Sequence, residues 1–252
     1  MEDKIYFYDG TFYGFLGLCG DLLASGEVPA DIVSEAMENR QEGLFDNRLF
    51  FDTDMDKFSA AKELIISRMG QDSYNGITRA YLSEKQGIEM EIFRYIVFGM
   101  EKGRDADRFM SDDRFLPVYK AYRQVCMEEH RFKGFLRFEE IRPGIMYAKL
   151  EPEYNIIMML ASHFKRRLSG LNWIIHDVKR RTAVFYDKKS CRLSDAAFFE
   201  LPPGMADEKI YKDMWKVYFT AMGIKERKNR RLQRQLAPKK LRKHMSEFSG
   251  GE

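Results

Sequence analysis

The chain has 252 residues, of which 44% are hydrophobic and 14% aromatic, and this composition excludes a disordered chain and predicts a substantial core. The net charge of +3 hides an asymmetry, because the stretch 225–243 has ten Lys or Arg and one acid, so that it carries +9 and the remainder −6. The longest apolar runs fall far short of the ~20 residues of a membrane helix, and no signal peptide is predicted at the start.

The three cysteines, Cys19, Cys126 and Cys191, lie far apart in the sequence. This spacing favours a reducing compartment over a disulfide scaffold, so we expect a cytoplasmic protein. The sequence contains no CxxC pair, which would predict a zinc or iron–sulfur site. It also contains no glycine-rich phosphate-binding loop and no serine-nucleophile motif. We therefore expect no metal and no cofactor.

The first half of the chain predicts one strand followed by helices. The aromatic run Ile5 to Tyr8 is typical of a strand, and Asp9-Gly10 marks a turn before Thr11, which could cap a helix. Helical spacing then predicts a helix from about Phe58 that ends at Gly70, followed by three more, 73–82, 88–100 and 117–132.

The pattern changes at Gly134, where strands are predicted over 135–139 and 145–150 with a turn at 142–144. A helix from about 153 to 168, strands over 172–176 and 182–186 and a last helix over 207–222 follow. We therefore predict an α+β fold in which a helical middle region packs with a mostly antiparallel sheet, ending in a helix and a basic tail. One domain is expected over 1–224, with a helical sub-region over about 11–132 and a sheet sub-region over about 133–224, before the tail 225–252.

Two clusters of polar residues could carry chemistry in this fold. His163, Arg166 and Arg167 share one flank of the predicted 153–168 helix, where they could hold a phosphate or simply form a solvated face. His176 and Asp177 end a strand, and a carboxylate beside an imidazole could orient a general base. Adjacent strand residues point to opposite faces, however, which argues against a contact between them.

Two further patterns are weaker. His130 with Glu129 is a reserve acid–base pair. The run Asp52 to Asp56 resembles the start of a calcium loop, but Lys57 stands where that loop requires Gly. An acidic cap at a helix start explains the run without a metal ion.

The basic tail predicts contact with a polyanion, because its cations are denser than on an ordinary surface. A solvated terminus is the alternative, and membrane insertion is disfavoured by the few apolar residues. Arg and Lys would mostly meet phosphates, which position a protein without reading sequence. The candidate contacts in the tail are Arg227, Arg230, Arg231, Arg234, Lys239 and Lys240.

Many short segments, in order along the chain, carry a resemblance to a known family. They are Tyr8-Asp9-Gly10-Thr11-Phe12, Gly14-Phe15, Glu129-His130-Arg131, Gly134-Phe135-Leu136-Arg137-Phe138, Tyr147-Ala148, Pro152, Leu160-Ala161, His163-Phe164, Arg166-Arg167, Trp173-Ile174-Ile175-His176-Asp177, Arg180, Tyr186-Asp187, Trp215, Tyr218, Ile224, Glu226-Arg227, Asn229, Arg231-Leu232-Gln233 and Pro238.

These segments resemble a bacterial family of uncharacterised proteins associated with DNA metabolism or repair. The resemblance implies a partner, a radical S-adenosylmethionine protein assigned to DNA modification or repair, and related domains are fused to uracil-DNA glycosylase-like domains. The chain departs from the family at Arg230, Ala237, Leu241 and Arg242, where Pro, Met and aromatic residues are usual. The lost aromatic residues weaken any base-stacking role of the tail.

Three hypotheses follow. The first is a nucleic-acid-binding accessory protein, with phosphate contacts from the tail, Arg166 and Arg167. The second is a glycosylase- or hydrolase-like enzyme on nucleic acid that uses His163, His176 and Asp177. The third is a protein-interaction subunit of the radical enzyme without direct DNA contact.

Overall fold

Six helices and eight strands lie within residues 4–35, 47–104 and 111–196, which are the residues that the computed structural model describes. They confirm the α+β class. The chain divides into two compact units, a first unit over Met1–Cys126 and a second unit over Met127–Glu252. The expected single domain over 1–224 stays a prediction, and the predicted helix 207–222 and the basic tail lie outside the described residues.

The first unit contains a three-stranded parallel sheet that the sequence analysis did not predict. Its strand order is β2-β1-β3, with Tyr6 of the central strand opposite Ile32 on one side and Leu49 on the other. The elements of this unit are β1 (Lys4–Tyr8), α1 (Phe12–Ser25), β2 (Asp31–Ser34), β3 (Asn47–Phe51), α2 (Met55–Met69), α3 (Gln71–Tyr81), α4 (Ile88–Lys102) and the start of α5 (Leu116–Phe135).

The first two helices of the first unit, α1 and α2, begin at side-chain caps, Thr11 and Asp54. The Thr11 hydroxyl accepts a hydrogen bond from the Gly14 amide at 3.0 Å, which begins α1 as predicted. Gly14 itself is required by a close approach, because an added Cβ would lie 2.4 Å from Asp9 Oδ1 and 2.5 Å from Thr53 Oγ1. The Asp9 carboxylate accepts from the Thr53 hydroxyl at 2.7 Å and so ties the end of β1 to the start of α2.

A buried polar network lies beneath the end of β1. The Tyr8 hydroxyl donates to Glu89 Oε1 at 3.1 Å and lies 3.0 Å from the Tyr81 hydroxyl, which donates to the Gly10 carbonyl at 2.8 Å. Burial raises the pKa of the Glu89 carboxyl, while its backbone hydrogen bond and the Tyr8 hydroxyl oppose the rise. Folding therefore makes the Glu89 carboxyl harder to ionise than it is in the unfolded chain.

This network predicts a pH-dependent stability difference between the protein and Glu89→Gln. A carboxyl whose pKa is raised by folding lowers stability as the pH rises from its unfolded to its folded pKa. Gln keeps an acceptor for the Tyr8 hydroxyl and carries no charge, so we expect Glu89→Gln to melt at a higher temperature than the wild type at pH 8. The two should converge at about pH 3, below the ordinary pKa of a Glu side chain, where Glu89 is protonated in both the folded and the unfolded protein. Thermal melts from that pH to pH 8 measure the difference.

Glu91→Gln is the matched control for this prediction. Glu91 lies in the same first turn of α4 but pairs on the surface with Arg94 at 3.1 Å. Its removal should leave the melting temperature nearly independent of pH relative to wild type, because an exposed ion pair contributes little. A Glu89→Gln protein that melts below wild type at pH 8 would show that the charged form is the stabilising one.

The second unit contains a five-stranded sheet in the order β4-β5-β6-β7-β8. Three of its four strand pairs are antiparallel, and β5 with β6 is parallel, joined through α6. This agrees with the predicted mostly antiparallel sheet. Its elements are β4 (Glu139–Arg142), β5 (Ile145–Leu150), α6 (Ile157–Arg167), β6 (Asn172–Asp177), β7 (Thr182–Tyr186) and β8 (Cys191–Asp195).

Two predicted boundaries in the second unit are wrong. The strand predicted over 135–139 starts only at Glu139, because α5 continues to Phe135. The helix predicted from Glu153 starts at Ile157. The backbone amides of Glu153 and Tyr154 each donate to the Glu128 carboxylate at 2.8 Å, which holds this segment outside the helix.

The core of the second unit is centred on Trp173, which is fully buried. Its ring stacks on Tyr186 at 4.9 Å between centroids and meets Phe138 edge-on at 6.3 Å. Helix α6 packs on the sheet with Leu160, Ala161 and Phe164 buried, so its remaining faces are left for solvent. In the described ranges, no helix is both long and apolar enough to cross a bilayer.

Candidate nucleic-acid interface

The last turn of α6 presents three consecutive cations to solvent, Lys165, Arg166 and Arg167. The core stripe of the helix ends at Phe164, so the next three residues turn away from the sheet. No residue in the described part of the chain forms an ion pair with any of the three. The favourable interaction of each cation with the helix dipole is only about 0.3–1 kcal/mol, which does not neutralise its charge. The three cations therefore remain available to an external anion.

His163 lies one turn before these cations, and its ring meets Phe164 edge-on. Its Nε2 atom is buried and has no hydrogen-bond partner among the described residues. Burial lowers the pKa of His163, the charges of Lys133, Arg167 and Arg166 lower it further, and Glu129 opposes them. The lowered pKa keeps the imidazole mostly neutral near pH 7, and its buried Nε2 atom is not accessible to an external phosphate.

His176 lies on a different element and has a partner that the sequence analysis missed. The Tyr147 hydroxyl lies 2.9 Å from His176 Nδ1 across the parallel pair β5–β6. Burial lowers the pKa of His176, with Asp177 opposing and Lys149 adding to the effect. Burial, and then Glu139, raises the pKa of Tyr147 to about 12. A neutral imidazole that accepts from this hydroxyl keeps its proton on Nε2.

Asp177 points to the opposite face of the sheet from His176, as strand alternation requires. It is fully buried and accepts from both the backbone amide and the Nη1 of Arg180, each at 3.1 Å. The same guanidinium donates to the carbonyls of Pro152 and Glu153 at 3.3 and 2.8 Å. Asp177 is thus placed in an ion pair that ties the β6–β7 turn to the segment before α6.

The reserve pair on α5 is also separated. Glu129 is buried and forms an ion pair with Lys133 at 2.5 Å, whereas His130 is exposed. Adjacent helix residues point about 100° apart, which keeps their side chains from meeting.

The calcium-like run Asp52 to Asp56 forms the start of a helix. Asp54 caps α2 and accepts from the amides of Asp56 and Lys57 at 2.8 and 3.3 Å. Within the described ranges, no group of three or more His, Cys, Asp or Glu could hold a metal ion.

The two units carry opposite net charge. The first unit has 15 Lys or Arg against 23 Asp or Glu, a net charge of −8, and the second has 27 against 16, a net charge of +11. The excess does not come from the tail alone, because residues 127–196 have 14 basic and nine acidic side chains, a net charge of +5. Lys165 in particular escaped the sequence analysis, although it adjoins Arg166.

The fold and surface together define an α+β protein whose second unit is strongly basic. Residues 86–247, which are 162 of the 252, match a family described as a domain of unknown function, DUF4130, and the chain belongs to this family. The match covers part of the first unit and nearly all of the second. No curated protein and no solved structure matches the chain.

Proposed function

We propose that this protein binds nucleic acid and presents it to a partner enzyme in DNA repair or modification. The observation that carries the proposal is the exposed cation triplet Lys165, Arg166 and Arg167, which has no counter-charge among the described residues, on a unit with a net charge of +11. Clustered cations of this kind attract polyanions and contact phosphates.

The tail extends the same surface chemistry. Its cations Arg227, Arg230, Arg231, Arg234, Lys239 and Lys240 would contact the nucleic-acid backbone without reading its sequence. Sequence or lesion selection would then come from the partner. The family resemblance implies a radical S-adenosylmethionine protein as that partner. Three free cysteines fit a reducing compartment such as the cytoplasm.

The proposal predicts weaker DNA binding by Arg166→Gln/Arg167→Gln. In a fluorescence anisotropy titration with labelled DNA over a salt series, each lost phosphate contact should reduce the log–log salt slope by about 0.9 on duplex and about 0.7 on single strands. Removal of the chain from Lys225 onward should reduce the slope further. We expect the double variant to lose roughly tenfold in affinity near 0.1 M salt, since it loses up to two such contacts.

The control removes the same charge from the acidic first unit. Arg68→Gln/Lys120→Gln takes away two exposed cations, and Arg68, like Arg166, lies in the last turn of its helix. Its affinity should stay within about twofold of wild type, because these two cations belong to a unit with a net charge of −8, which does not attract a polyanion. Absence of DNA binding by the full chain would contradict the proposal and favour a protein-interaction subunit of the radical enzyme.

The hydrogen bond between Tyr147 and His176 supports a second candidate, a hydrolytic or glycosylase-like activity on nucleic acid. A neutral imidazole with a fixed tautomer can act in acid–base catalysis. Asp177 is held by Arg180 on the other face of the sheet, so this candidate rests on Tyr147 and His176 rather than on His163 or Asp177. Turnover of a base-modified or abasic duplex that disappears in His176→Gln and is reduced in Tyr147→Phe would establish it.

A further inference from the structure

The turn between β7 and β8 lies at the same end of the sheet as the C-terminus of α6. Tyr186 at the end of β7 is opposite Cys191 on one side and Trp173, near the start of β6, on the other. The Tyr186 hydroxyl donates to the Ser169 carbonyl just after α6 at 3.5 Å. Helix α6 packs on β6, β7 and β8, which brings it beside the start of β8. Burial raises the pKa of the Cys191 thiol at that start, and the charge of Lys165 on α6 opposes the rise.

This turn holds its own cations in a fixed backbone. The Asp187 carboxylate accepts from the amides of Lys189 and Ser190 at 3.0 and 2.7 Å, and Lys188 has a φ of 67°. Both lysines are exposed, and the Asp187 carboxylate that shapes the turn accepts from backbone amides rather than from their side chains.

Arg192, at the start of β8, is exposed too, and its guanidinium lies 3.9 Å from Asp187. We name this surface the cationic end, made of Lys165, Arg166, Arg167, Lys188, Lys189 and Arg192. Asp187 is the one acidic residue within segments 165–171 and 186–192, which form this end of the sheet.

We propose that the cationic end is a two-element binding site for the phosphodiester backbone of a nucleic acid, in which Lys188, Lys189 and Arg192 act with the cations of α6. The inference rests on the proposed function and adds to it a second set of contacts on the ordered sheet, separate from the tail. Two elements at a fixed spacing can hold successive phosphates, whereas a single helix end offers one cluster of charge.

The surface fits a nucleic acid better than a membrane. The exposed leucines near it do not form a continuous face: Leu171, 41% exposed, lies in the loop before β6, and Leu193, 54% exposed, lies on β8. Peripheral membrane binding draws on a continuous apolar face in addition to cations. Six cations around one carboxylate match the regular phosphate charge of a nucleic acid instead.

The test compares full-length Lys188→Gln/Lys189→Gln with full-length Lys149→Gln/Arg181→Gln. The control pair also removes two exposed cations, from the opposite end of the same sheet. Both proteins are titrated against labelled 20-nucleotide single strands and 20-base-pair duplexes across a salt series. We expect the turn variant to lose roughly tenfold in affinity near 0.1 M salt and to have a shallower salt slope, with the control within about twofold of wild type.

Several outcomes would overturn the inference. If the turn variant binds like wild type while Arg166→Gln/Arg167→Gln is weakened, the proposed function stands and the two-element site falls. If wild type binds neither nucleic acid, both fall. If the turn variant loses binding to phosphatidylserine vesicles and keeps DNA affinity, the site belongs to a membrane surface. Arg192→Gln repeats the test outside the turn should the lysine pair unfold.

Discussion

Replacing Asp177 with Ala is expected to destabilise the second unit by about 3–5 kcal/mol, because it leaves a largely buried cation without its counter-charge. Asp177 is fully buried and the Arg180 side chain is only 12% exposed, so neither charge can be hydrated in place. The Arg180 backbone amide loses its acceptor as well. Urea unfolding followed by tryptophan fluorescence reports this unit, since both tryptophans, Trp173 and Trp215, lie in it.

The control for this prediction is Asp195→Ala. Asp195 lies opposite Thr182 at the same end of the sheet but is exposed, so its loss should cost at most about 0.5 kcal/mol. An Asp177→Ala protein as stable as the control would show that the ion pair with Arg180 contributes little. A catalytic role for Asp177 requires the reverse pattern, in which activity is lost and stability is kept.

The sequence predicted those elements whose signals are local. Two helix ends were predicted from their caps, the start of α1 at Thr11 and the end of α2 at Gly70. A cap can be recognised in the sequence because it depends only on residues a few positions apart. The boundary near residue 135 failed for a local reason too: Gly134 was read as a break, yet α5 continues through it. Exposed helix positions tolerate Gly at a cost of about 1 kcal/mol, which tertiary packing can offset.

Long-range pairing could not be predicted in this way. The parallel partners of β1 are short strands that begin at Asp31 and Asn47. Nothing in the composition of these strands indicates that they pair with β1. The contact between Tyr147 and His176, 29 residues apart, likewise depends on the parallel register of β5 and β6. Strand alternation did predict that Asp177 and His176 lie on opposite faces, because that rule needs no partner.

The cationic end combines residues that local sequence patterns reveal with residues whose position depends on long-range strand pairing. Arg166 and Arg167 stand out in the sequence as a charged flank of a predicted helix. Lys188 and Lys189 could be read only as a solvated turn, since their neighbourhood depends on which strand follows α6. The candidate site was therefore half visible in the sequence, and its second half required the order of the strands.

Replacing Trp173 with Ala is expected to cost about 3–5 kcal/mol of stability, because a large, fully buried ring is removed from between Tyr186 and Phe138. The resulting cavity adjoins Tyr186, which precedes the β7–β8 turn, so this turn should also lose order. Urea unfolding followed by far-ultraviolet circular dichroism measures the loss without relying on Trp173 fluorescence.

Trp173→Phe separates the packing of this ring from the polarity of its indole. The indole N–H is buried and has no acceptor among the described residues, so Phe removes an unpaired donor and keeps an aromatic ring against Tyr186. We expect a loss well below that of Trp173→Ala, about 1–2 kcal/mol, since only part of the buried volume goes. Equal losses of stability in the two variants would show that the indole N–H makes a hydrogen bond that stabilises the core. A small loss in Trp173→Phe with retained DNA affinity would show that an aromatic ring at this position is sufficient to keep the β7–β8 turn in place, without the indole N–H.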